Sequence, residues 1–129
     1  AFFRRQRQMC IRDRDNYVNH LGTSSVLLDP LYFGAGNSFH ESMVYGTPTV
    51  TMPTKYIKSR IVSAAYMQME IEKPPIVKNK NEYVELAINI ANSDNLLEIK
   101  EYYQKKAIEK LFNTTKAGEE FNQILIGLD

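Results

Sequence analysis

Residues 26–53, VLLDPLYFGAGNSFHESMVYGTPTVTMP, decide how the rest of the chain is read. Val26, Leu27 and Leu28 make a short apolar run closed by Asp29-Pro30, the pattern of a buried strand meeting a turn. In the loop that follows, Gly34, Ala35 and Gly36 carry almost no side chain. Asn37 and Ser38 are both good helix N-caps, and Ser38 with Glu41 three residues on has the spacing of a capping box. Gly46 stands where a C-terminal glycine cap belongs and Pro48 forbids continuation, so the helix is short. A second β-type run, Thr49 to Met52, stops at Pro53. Strand, glycine loop, helix and strand read as a βαβ unit with parallel strands and a right-handed crossover.

Such a unit has a chemical use. Loop glycines let backbone approach a ligand, and a helix start offers unpaired N–H groups with partial positive charge. Together they suit a phosphate or diphosphate. Asn37 and Ser38 can add side-chain hydrogen bonds, and Glu41, one turn in, can accept bonds from two neighbouring ribose hydroxyls. The same residues are equally compatible with plain turn-and-cap chemistry, because Gly-x-Gly before a helix is a weak signal.

An ordered string of motifs adds to this reading: VLLDP, YFGAGNS, HE, YGTPTVTMP and SRIVSAAY, within residues 17–69. The string resembles the C-terminal catalytic segment of the O-GlcNAc transferase and SPINDLY-like glycosyltransferases, most closely the bacterial members fused to tetratricopeptide repeats. The resemblance implies a GT-B architecture, two Rossmann-like domains with a nucleotide-sugar donor, typically UDP-GlcNAc, in the cleft between them. It implies donor diphosphate contacts at Gly34, Gly36, Asn37 and Ser38, a ribose contact at Glu41, and a base contact near Tyr17. The His-Thr-Thr triplet of animal members reads Gly36-Asn37-Ser38 here, and the position near Tyr17 is histidine in those members. Neither a cofactor nor a metal is implied.

The chain has 129 residues, one domain's worth, and begins with Ala1. That is about a quarter of a complete two-domain transferase with repeats, so the chain reads as a fragment. Residues 1–14, AFFRRQRQMCIRDR, differ from everything after them: five of the six arginines lie there. Without those five arginines and Asp13 the net charge falls from +1 to about −3, so the basic balance belongs to the tail. A nucleic-acid or membrane-attracted arm is one reading of it. RQRQMCIRDR also resembles translated sequencing-adapter sequence, and on that reading residues 1–14 are a non-native or disordered tail and residues 15–129 the donor-binding domain. Cys10 is the only cysteine, which excludes disulfides within the chain and thiolate metal clusters. Lack of structural disulfides, of a long apolar run and of a signal-peptide core predicts a soluble, cytoplasmic protein.

The remainder reads as helices. Residues 15–22 form a short one, with Tyr17, Val18 and Leu21 on its apolar side and Gly22 ending it. His20 and His40 are too far apart, and too bare of other ligands, to make a metal site. Past the polar connection with Lys55 and Lys58, Val62, Ala65, Tyr66 and Met69 follow helical spacing, with Met67 and Met69 as core filler. Ile76-Val77 is a short edge strand after Pro74-Pro75. Tyr83, Leu86, Ala87, Ile90 and Ala91 share one helix face, with Asn79 or Asn81 as cap. Leu96, Ile99, Tyr103, Ala107 and Leu111 stripe the next helix. Phe121, Ile124, Leu125 and Leu128 give the last helix an apolar side, which either reaches toward the other GT-B domain, as the resemblance implies, or is ordinary core.

The expectation is therefore α/β: a partial Rossmann-like C-terminal domain of a GT-B enzyme with a helical C-terminal cap. Its expected function is donor binding in transfer of a sugar, GlcNAc by resemblance, from a UDP-sugar to a Ser or Thr hydroxyl of a protein. Expected partners are the UDP-sugar, the protein acceptor, and an N-terminal GT-B domain with helical repeats on the same polypeptide, without nucleic acid or membrane. The alternatives are a non-catalytic nucleotide-binding or interaction module, or another GT-B enzyme such as a sugar-nucleotide epimerase.

Overall fold

A computed structural model describes residues 14–127. The arginine-rich run 1–13, Cys10 and Leu128 lie outside the described residues. Helix α1 covers residues 14–23. It is followed by β1 (Leu27–Leu28), α2 (Asn37–Met43), β2 (Thr49–Val50), a 3-10 turn (Ile57–Ser59) and α3 (Ile61–Gln68). Then come α4 (Lys80–Ala91), α5 (Leu96–Lys106) running into a π-turn (Ala107–Leu111), and α6 (Thr115–Ile126). The fold is α/β but mostly helical, with two short strands.

The strands are parallel, Leu27 beside Thr49 and Leu28 beside Val50, as a βαβ unit requires. Leu27 N donates to Pro48 O at 2.8 Å and Asp29 N to Val50 O at 3.0 Å. The expected run from Thr49 to Met52 is strand for two residues only, continued by a parallel bridge from Thr51 to Ile76. Thr51 N donates to Pro75 O and Val77 N to Thr51 O, so the Ile76-Val77 segment adds a third parallel partner. Prolines 48, 53, 74 and 75 crowd these segments, and each removes a backbone donor that a longer ladder needs.

Thr49, Val50 and Thr51 are all fully buried, because helices cover both faces of β2. On one side Phe39 and Met43 of α2 meet Val62, Ala65 and Tyr66 of α3, and Tyr103, Ala107 and Leu111 of α5 and its π-turn close the cluster. Phe39 and Tyr103 each present an edge to the Tyr66 ring, with centroids 5.2 and 5.8 Å away. On the other side Val50 packs with Val77 and with Ala87, Tyr83, Leu86 and Ile90 of α4. The expected stripes of α3, α4 and α5 thus pack into these two clusters, apart from Ala91 and Leu96.

Helix α2 ends as read from sequence. Gly46 has φ +66°, and Thr47 N and Gly46 N return to Ser42 O and Met43 O at 3.1 Å. Asn79 caps α4, its Oδ1 accepting from Glu82 N at 2.9 Å, while Glu82 accepts from Lys78 N. Three readings need correction. Met67 is exposed rather than core filler, since it sits on the outer side of α3; Met69 is buried. Ala91 is exposed at the end of the α4 stripe. Gly22 does not end α1, which runs through residue 23 because Ser24 N still reaches His20 O. On α6, Phe121, Ile124 and Leu125 are all exposed. Among the described residues, no helix is long and apolar enough to cross a membrane.

Candidate functional site

The loop between β1 and α2 leaves the carboxyl end of a parallel strand, and a buried carboxylate shapes it. Asp29 is 3% exposed. Its Oδ1 accepts from Ala35 N at 2.6 Å and its Oδ2 from Thr51 Oγ1 at 2.5 Å, which ties loop to strand. Tyr83 of α4 donates to Asp29 O at 2.8 Å. Burial, and then the Asp29 charge, push the Tyr83 phenol up to about 12, so it remains a donor at neutral pH. From sequence, Asp29 reads only as a strand stop. The carboxylate before Pro30 is the one signal that it does more.

Gly34 is buried against the loop that precedes α3. Its N–H donates to Lys58 O at 2.7 Å, and a Cβ there would stand 3.0 Å from the same oxygen. Its amide is thereby committed inside the protein, and its contribution is close packing. Gly36 differs: a Cβ added there meets nothing within 4 Å. It is the N-cap of α2, with φ −83° and ψ −86°.

This position of the cap corrects the expected capping box. Asn37 and Ser38 are the first and second helical residues, one and two places past the cap, and α2 has no side-chain cap bond. The Asp29–Ala35 and Gly34–Lys58 bonds hold the chain so that helical geometry begins at Asn37, too early for Ser38 to cap. Among the described residues the amides of Asn37, Ser38 and Phe39 have no acceptor, and His40 N, at 3.3 Å from Gly36 O, is the first that does. His40 Nδ1 also lies 3.0 Å from Gly36 O, so with the proton on Nδ1 it donates to that oxygen.

Glu41 is one turn beyond Asn37 and Ser38, and the three share a face opposite buried Phe39, Ser42 and Met43. Glu41 Oε1 stands 4.0 Å from Arg14 Nη2, an exposed pair that contributes little. Tyr17 lies three residues beyond Arg14 on α1, so the contact brings its side of α1 toward Glu41. Tyr17 is 39% exposed. His20 is exposed on the same helix. The sequence-derived residues Gly36, Asn37, Ser38 and Glu41 therefore gather at one open edge, with Tyr17 on the adjoining helix and Gly34 folded beneath. No three His, Cys, Asp or Glu side chains converge among the described residues. The chain matches no family model and no curated protein.

Proposed function

We propose that this chain is the donor-binding part of a glycosyltransferase of the O-GlcNAc transferase kind, working in a cytoplasmic setting. On this reading it belongs to the Rossmann-like C-terminal domain of a GT-B enzyme. The observation that carries the reading is the clustering of Gly36, Asn37, Ser38 and Glu41 at the exit of a parallel strand, where α/β sheets hold ligands. The ordered motifs VLLDP, YFGAGNS, HE, YGTPTVTMP and SRIVSAAY, which include these residues, support the same reading.

In this mechanism the open space beside Gly36 admits the diphosphate. The amides of Asn37, Ser38 and Phe39, with the Asn37 and Ser38 side chains, receive its charge. Glu41 accepts the ribose hydroxyls and Tyr17 borders the base. An acceptor hydroxyl attacks the anomeric carbon, the bond to the UDP oxygen breaks with inversion, and the fixed N–H dipoles neutralise the leaving diphosphate. The acceptor proton passes to a general base, which is assigned to none of the described residues.

The test is UDP titration of the full chain followed by amide NMR, alongside Glu41→Ala. UDP is expected to move the signals of residues 36–41. Loss of charged hydrogen bonds worth about 1.5–3 kcal/mol should weaken binding about tenfold or more in the variant. Stability should hold within about 0.5 kcal/mol, since Glu41 makes no cap bond. Equal affinity of the two proteins for UDP would sink the ribose assignment. Absence of any response at residues 36–41 to millimolar UDP would sink the donor reading itself.

A further inference from the structure

The parallel segments all deliver the chain to one end of the sheet, and a second feature lies there. Leu31 and Tyr32 follow β1, Met52 and Thr54 follow β2, and Lys80 opens α4 after the Ile76 bridge. With Tyr56 and Lys58 of the connection to α3 they enclose a groove of about 270 Å³. None of the lining residues is acidic.

Its chemistry is of two kinds. Leu31, Met52 and the two phenol rings give it apolar walls, with Tyr32 85% and Tyr56 57% exposed. Lys58 and Lys80 are the two cationic residues of its lining. Lys55 Nζ adds a third, 5.2 Å from the centre of the Tyr56 ring, with Lys58 Nζ 6.0 Å from it. Among the described residues none of these three lysines pairs with a carboxylate. Three unneutralised cations around exposed aromatic rings suit an anion carried on a small apolar body. At about 270 Å³ the groove falls below the roughly 300–1,000 Å³ of a complete small-molecule site, so it holds one side chain and its neighbours rather than a nucleotide sugar.

We infer that this groove is an acceptor subsite that takes an acidic side chain next to the hydroxyl receiving the sugar. The inference rests on the donor reading above. Tyr32 in the groove and Gly36 at the start of α2 are four residues apart in one loop, so a peptide seated here lies beside the proposed diphosphate position. Its carboxylate meets Lys58 and Lys80, and its methylenes lie on Tyr32, Tyr56 and Met52.

The test uses the full chain and two serine hexapeptides that differ only in Glu or Gln beside the serine, with amide NMR as readout. The Glu peptide is expected to move the signals of Tyr32, Tyr56, Lys58 and Lys80. Its affinity should exceed that of the Gln peptide by about three- to tenfold at low salt, as two partly exposed ion pairs allow. The preference should vanish in Lys58→Glu/Lys80→Glu, whose fold is checked by circular dichroism, and shrink as salt is raised. Equal binding of the two peptides, or no response in the groove to either, overturns the proposal. So does UDP alone moving the groove signals in place of those of residues 36–41, since the groove is then part of the donor site. A Glu peptide that fills the groove while UDP moves nothing at residues 36–41 overturns the donor reading and leaves an acidic-peptide site.

Discussion

Gly46→Ala tests how the central helix is joined to the rest of the fold. Gly46 has φ +66°, and a Cβ there would stand 1.8 Å from Lys100 O, 2.7 Å from Lys100 C and 2.9 Å from Gln104 N. All three are backbone atoms of α5, which cannot turn aside as a side chain can. The contact is pinned on both sides, by Lys100 Nζ donating to Gly22 O at 2.9 Å and Gln104 Nε2 donating to Val44 O at 2.6 Å. Left-handed geometry costs alanine about 1–2 kcal/mol. Forcing a methyl into packed backbone adds about 1–3 kcal/mol. Lower entropy of the unfolded chain returns about 0.4–1 kcal/mol. The net loss is about 1–5 kcal/mol, a large part of the roughly 5–15 kcal/mol that holds a domain together. Urea unfolding followed by circular dichroism measures it, with an unchanged slope as the sign that only stability moved. Gly118→Ala is the control: in the open on α6 at ordinary helical geometry, the same change should stabilise slightly, by up to about 1 kcal/mol. A Gly46→Ala protein within about 0.5 kcal/mol of the parent would refute the seating of α5 on the end of α2.

Two further predictions concern the buried phenols. Tyr66 OH accepts from Thr49 N at 2.8 Å and donates to Thr49 O at 3.0 Å, so Tyr66→Phe strands both backbone groups and should cost about 1–3 kcal/mol in the same urea assay; a loss below about 0.5 kcal/mol would refute that pairing. Burial, with the Asp29 charge second for Tyr83 and Tyr102 second for Tyr103, raises both phenols from 10.0 to about 12, and burial also raises Tyr66. A raised folded-state pKa favours the protonated form, so this stability is whole below pH 10 and lost as pH climbs through 12. Urea midpoints should fall across that window while tyrosinate absorbance appears, and flat midpoints would count against the burial of these rings.

The βαβ unit is legible because its signals are local: an apolar run, small loop residues, a glycine where φ is positive, and prolines at the ends. The stripes of α3, α4 and α5 are legible for a similar reason, since spacing alone puts Tyr66, Ala87 and Tyr103 inward. What escapes the sequence depends on contacts far along the chain. Ser38 and Glu41 have capping-box spacing, but bonds from Asp29 and Lys58 begin the helix before Ser38 can cap. Met67 is expected in the core with Met69, but only Met69 continues the Val62, Ala65, Tyr66 spacing, and the packed side of α3 takes Met69 inside and leaves Met67 outside. The groove is the extreme case. Tyr32 and Tyr56 belong to two connections and Lys80 to the start of α4, and no spacing rule relates them.

Asp29 links these levels. A buried carboxylate is expensive unless its oxygens are filled, and here loop amide and strand hydroxyl fill them. An apolar side chain of similar size would leave Ala35 N and Thr51 Oγ1 without partners, so the charge is tied to the loop's shape rather than to core packing. Tyr83 fastens the same residue to α4 through its carbonyl. One residue therefore couples α4 and the segment after β2 to the loop that carries Tyr32 on one side and Gly36 on the other. A loop held this way is ordered before any ligand arrives, and its N–H groups need little rearrangement to meet a developing negative charge. That preorganisation is what the proposed donor reading requires of this end of the sheet, and it holds the groove and the start of α2 at a fixed spacing.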